Sequence, residues 1–133
     1  MRRKFLLTLL FAVFLGITVY GCSGTSSLKR GWVETSGLSH ANVRYNYFDG
    51  VERMSFRAEA GDKIQLDIDV QVEEGSLAIN LEDPDGNEVW SKTYQEDAEG
   101  SASMIATEKG RYHLRVVGEE TEGGYEISWD VED

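Results

Sequence analysis

Cysteine is almost missing from this 133-residue chain, which has one, Cys22. A lone thiol closes no internal disulfide, and a single sulfur without histidines beside it makes a poor metal site. Proline is as scarce, with Pro84 alone, and the two histidines, His40 and His113, stand far apart in sequence. No serine sits in a G-x-S-x-G elbow, so no arrangement for nucleophilic catalysis is visible, and an enzyme with a hidden site is kept only as an alternative. No stretch of about ten residues carries a convincing helical period. Cations are short as well: 13 Lys and Arg against 24 Asp and Glu, a formal charge of −11.

One long apolar run is present, at the amino terminus. Arg2, Arg3 and Lys4 precede a stretch from Phe5 to Val19 that is broken only by Thr8, Gly16 and Thr18. At about 15 residues it is short of the roughly 20 that span a bilayer, which predicts a cleaved signal peptide over residues 1–21. The pair Arg2–Arg3 followed by Phe5–Leu6–Leu7 looks like a twin-arginine signal, although the minimal basic region and strongly apolar run suit general secretion better. An ordinary signal would end in a small-x-small pattern and leave Cys22 incidental. Val19, Tyr20, Gly21 and Cys22 instead resemble the lipobox of bacterial lipoproteins. The resemblance implies a diacylglyceryl thioether on Cys22, cleavage before it, and acylation of the new amino terminus. The chain is then expected at the cell membrane, lipid-anchored and facing the extracytoplasmic side. Each buried methylene contributes about 0.8 kcal/mol, and two or more chains make the anchor stable.

Loss of residues 1–21 removes three cations and no anion, which leaves ten against 24 and a formal charge of −14. Such a balance repels nucleic acid and anionic surfaces, so no nucleic-acid partner is expected. Residues 22–31 are small and polar without periodicity and read as the lipidated cysteine and a flexible tether. The folded domain is expected over residues 32–133.

Alternation dominates that domain. Ile64, Leu66, Ile68, Val70 and Val72 alternate with Gln65, Asp67, Asp69 and Gln71, a half-buried strand at period two. The same alternation marks Met54 to Ala58, Leu77 to Leu81, Tyr112 to Val116 and Tyr125 to Val131. Gly61, Gly75, Gly86, Gly110 and the pair Gly123–Gly124, each among polar residues, punctuate the runs as turns. The expected fold is all-β, a jelly-roll-like antiparallel sandwich of about seven or eight strands with Phe56, Tyr112, Tyr125 and Trp129 in its core.

Two motifs invite chemistry. In Asp83-Pro84-Asp85-Gly86-Asn87-Glu88, oxygen ligands alternate as at the start of a calcium loop, but glycine falls too early and Tyr94 stands where the closing glutamate belongs. A tight turn explains the stretch more simply: Pro84 at its first central position, a positive φ at Gly86, and Asp83 as the cap. Trp32, Tyr45, Tyr47, Trp90 and Tyr94 lie outside the cleanest core runs and are candidate ligand contacts of the kind that stack sugar rings, or else margins of the core.

From Val51 to Val131, Phe56 to Ile68, Leu77 to Trp90 and the paired glycine-tyrosine strands Gly110 to Val116 and Gly124 to Val131 resemble bacterial pre-peptidase C-terminal and GOLD-like domains. The resemblance implies a noncatalytic sandwich with no active site or cofactor. Envelope protein and glycan are the two expected partner classes, with a glycan-binding module as the alternative to an interaction module.

Overall fold

A computed structural model describes residues 27–133; the expected signal peptide and Cys22 lie outside them. Seven antiparallel strands follow in order: β1 (Leu28–Arg30), β2 (Val33–Ser36), β3 (His40–Ala58), β4 (Lys63–Glu82), β5 (Glu88–Tyr94), β6 (Ala98–Ile105) and β7 (Gly110–Glu132). Among the described residues there is no helix. Pairing begins at Leu28, inside the segment expected as tether, because Leu28–Arg30 bonds against Tyr47–Asp49.

Strands β3, β4 and β7 are too long for one flat layer, with 19, 20 and 23 residues. Each bends near its middle and contributes to two layers. Layer A joins the first half of β3, the second half of β7 and the first half of β4, extended by β2 and β6. Layer B joins the remaining halves, extended by β1 and β5. The bends lie side by side, at the register shifts of Tyr45–Gly50, Val72–Ser76 and the stretch opposite them around Gly118–Gly123. Gly75 (φ +71°) and Gly123 (φ +136°) supply the backbone that the bends need, and a Cβ on Gly123 would run into the Gln71 carbonyl.

Two breaks read as hairpin turns are therefore bends inside strands. Glu73–Ser76 lies within β4 and Glu122–Tyr125 within β7, so pairs of runs that look like separate strands are halves of one. Local chemistry is alike in the two cases, glycine among polar residues, and only pairing with the neighbouring bent strands decides between them. The turns at Gly61, Gly86 and Gly110 do separate strands.

Period two produces the core. Val43 and Tyr45 from β3, Ile64 to Val72 from β4 and Tyr125 to Trp129 from β7 point inward from layer A. Phe56, Leu77, Ile79, Leu81, Tyr112, Leu114 and Val116 point inward from layer B. Phe56 stacks on Trp129 across the gap at 6.1 Å and on Tyr112 beside it at 6.0 Å. Each fully buried aliphatic or aromatic side chain contributes roughly 1.5–3 kcal/mol, so these facing rows hold the layers together.

Candidate functional site

The five candidate aromatic residues fall into two groups on opposite edges of the sheet order β1-β3-β7-β4-β5. Near β1, Trp32 stacks on Tyr45 at 5.7 Å and meets Phe48 edge-on at 5.2 Å, with Lys29 Nζ 4.3 Å from its ring centre. The Trp32 ring is thus engaged by three neighbours within the chain. Tyr45 is 4% exposed and Tyr47 half-buried, with the Arg30 guanidinium 5.5 Å from the Tyr47 ring. Burial pushes the Tyr45 phenol up to about 12, eased slightly by Thr121, and pushes Tyr125 up further, with Glu52 and Glu34 adding to it. Tyr45 Oη and Thr121 Oγ1 face this interior without a partner of good hydrogen-bond geometry.

On β5, Trp90, Lys92 and Tyr94 stand opposite Leu81, Ile79 and Leu77, so all three turn toward the inside of the sandwich. Facing them across the gap between the layers, β6 turns Ala98, Gly100, Ala102 and Met104 inward opposite Val70, Ile68, Leu66 and Ile64. β5 extends layer B and β6 extends layer A, and the two do not pair. The sandwich is open along this edge. A cavity of about 790 Å³ lies where β5 turns into β6, lined by Lys92, Thr93, Tyr94, Gln95, Glu96 and Ala98. Asp97 fixes the turn by accepting a hydrogen bond from the Val72 N–H at 2.9 Å. Tyr94 lines this cavity but is only 6% exposed, and Trp90, half-buried on the same face of β5, lies outside its lining, whereas Trp32, Tyr45 and Tyr47 lie on the opposite edge.

The Asp83–Glu88 loop is a capped turn. Gly86 N–H donates to the Asp83 carbonyl at 3.0 Å, and Asp83 Oδ1 accepts from the N–H groups of Asp85 and Asn87 at 3.0 and 2.9 Å. Gly86 has φ +87°. The fold also brings Glu108 from the β6–β7 turn to the loop, so that carboxylate oxygens of Asp83, Asp85 and Glu108 lie within 4.8 Å of one another. Asp85 raises the Glu108 carboxyl above its ordinary range by hydrogen bonding and by repulsion, with Asp83 adding to it. These three are the residues that could contribute oxygens to a cation, although calcium takes six to eight and Asp83 already spends its carboxylate on the turn. Glu108 was beyond the reach of sequence reasoning because nothing local ties it to the Asp83 loop.

The architecture defines an antiparallel β-sandwich whose prominent cavity belongs to its open edge. Similar solved structures include a periplasmic inhibitor of g-type lysozyme from Aeromonas hydrophila, at 17% identity over 74% of this chain and 93% of that one, TM-score 0.47. A pre-peptidase C-terminal domain of collagenase from Bacillus anthracis is similar at 16% identity over 79% and 88%, TM-score 0.47. A carbohydrate-binding module solved with β-1,4-galactotriose is similar at 17% identity over 77% and 89%, TM-score 0.47. At these identities the likeness is one of fold. No protein-family model matches the chain, and no curated protein matches it in sequence.

Proposed function

We propose that the chain is a noncatalytic binding module, exported, anchored through lipid on Cys22, and displayed on the extracytoplasmic side of a membrane to engage an envelope partner. The observation that supports binding is the open edge between β5 and β6, where a cavity of about 790 Å³ is bordered by a phenol, an ammonium and a carboxylate. Polar groups fix the orientation of a bound ligand, and four of the six lining residues here, Lys92, Thr93, Gln95 and Glu96, carry them. Glycan is the second ligand class, favoured by the half-buried Trp90, which turns toward the same edge as Lys92.

Two experiments test this proposal. Metabolic labelling with a fatty acid should mark the wild-type chain and not Cys22→Ser; a labelled, membrane-bound Cys22→Ser variant would defeat the anchor. Retention on columns of cell-wall glycan should fall about tenfold in Trp90→Ala with the fold intact, as loss of one stacked ring predicts. Equal retention of the two chains would remove the glycan alternative.

A further inference from the structure

The outer faces of the two layers differ in charge. Layer A turns Asp67, Asp69, Glu99, Glu126 and Asp130 outward beside two cations, Arg44 and Lys63, with Asp69 directly opposite both Glu99 and Glu126. Layer B turns Arg53, Arg57, Arg111 and Arg115 outward together on β3 and β7, four of the ten cations that follow residue 21, with Glu82 opposite Glu88 on the β4–β5 side and Glu119 at the β7 bend. The register sets Arg53 opposite Arg115 and Arg57 opposite Arg111. Like charges directly across an antiparallel pair are destabilising, so an anion placed against this face would relieve repulsion that the fold alone leaves standing. One carboxylate answers the four guanidinium groups: Glu82, 3.3 Å from Arg115 Nε. Arg111 donates to Ser55 Oγ at 3.0 Å, and Arg53 and Arg57 have no ion-pair partner among the described residues. Opposite Arg115 lies Asn80, only 8% exposed, whose side-chain oxygen has no hydrogen-bond partner.

The tether leaves from this same layer. β1 is the edge strand beside β3 in layer B, and Ser27 Oγ accepts from the Val51 N–H at 3.2 Å. The five steps from Cys22 to Ser27 reach at most about 18 Å when fully extended. A lipid on Cys22 would therefore keep the edge of the arginine face within that distance of the bilayer.

We infer that the layer B face rests on the phosphate headgroups of an anionic bilayer, with the acidic layer A face turned away from it. The inference depends on the lipid anchor proposed above and adds an orientation to it. Guanidinium forks match phosphate oxygens, and a basic side chain is attracted to an anionic surface within a screening length of about 8 Å. The chain's net negative charge does not prevent this, because the carboxylates of layer A lie on the opposite side of the sandwich and the four arginines stand together on the adjacent strands β3 and β7, beside β1, where the tether leaves.

The test reconstitutes the lipidated chain into vesicles of phosphatidylglycerol mixed with phosphatidylcholine, or of phosphatidylcholine alone. Reaction of Arg111 and Arg115 with an arginine-selective dicarbonyl is then followed by mass spectrometry. Modification should be slower by on the order of tenfold on the anionic vesicles, and high salt should abolish the difference. Arg53→Gln with Arg57→Gln, which relieves repulsion in the fold, should reduce the protection to within about twofold. Equal rates on the two vesicles, protection untouched by the double substitution, or the same protection from millimolar inorganic phosphate on neutral vesicles would each overturn the inference. Protection that rises with protein density on neutral vesicles would overturn it in favour of a second copy's acidic face. Retention on neutral vesicles reports the anchor separately: a chain that washes off them defeats the anchor, and one that stays without charge-dependent protection defeats the orientation alone.

Discussion

At the scale of single residues, the interior contains polar atoms that do little for the fold. Tyr45 Oη and Thr121 Oγ1 are buried without good partners, and an unpartnered buried hydroxyl costs about 1–3 kcal/mol. Tyr45→Phe is expected to raise the unfolding free energy by about 1 kcal/mol in urea titrations. The same residue gives a pH dependence. Its folded value, about 12, is above the unfolded one near 10, so the neutral phenol stabilises the fold fully below pH 10 and the benefit is lost as pH rises toward and through 12. Thermal midpoints should fall across that window, and less so in Tyr45→Phe; equal falls would contradict the assignment. Glu108 follows the same sign at lower pH: its raised value means a contribution present below the ordinary glutamate range and lost as pH rises through the raised value. Glu108→Gln should therefore melt higher than wild type near neutrality and no differently in acid. The Asp83 cap was legible in sequence because its partners lie within four residues, whereas the Trp32–Tyr45 stack was not, since it depends on how β3 bends.

At the scale of elements, alternation gave the strand faces correctly wherever one side is buried, and Ile64 to Val72 is the clearest case. What it could not separate was a turn that ends a strand from a bend that redirects one. Gly123 and Gly100 make the distinction measurable. A Cβ at Gly123 would meet the Gln71 carbonyl at a positive φ, so Gly123→Ala is expected to cost at least about 2 kcal/mol and to loosen all three bent strands. Gly100, in the middle of β6, has nothing within 4 Å of such a Cβ, so Gly100→Ala should be neutral or stabilise by about 0.5 kcal/mol. Urea denaturation of the two variants checks both, and equal effects would show that the bend is not where the backbone is constrained.

At the scale of the whole molecule, composition gave the sign of the charge but not its distribution. Cross-strand register is what gathers four arginines on β3 and β7 of layer B and a run of carboxylates on layer A. Both faces hold like charges directly opposite one another, so salt should stabilise the fold: thermal midpoints should rise by a few degrees between about 0.01 and about 0.15 M ionic strength. Asp69→Asn should remove part of that rise, because Asp69 sits between Glu99 and Glu126.

The order of the strands has a consequence for timing. β3 and β4 pair early with their sequence neighbours, β1 and β2 or β5 and β6, but they join each other only through β7, which meets β3 from His40 opposite Ser128 and β4 from Lys63 opposite Glu132. Sheets built from such distant partners fold in milliseconds to seconds, whereas local hairpins close in microseconds. Until the 23-residue β7 is available, the described strands have no central member to join β3 to β4. The export proposed above would gain from that delay, because a chain threaded through a membrane pore has to stay extended, and the topology itself would act as the clock.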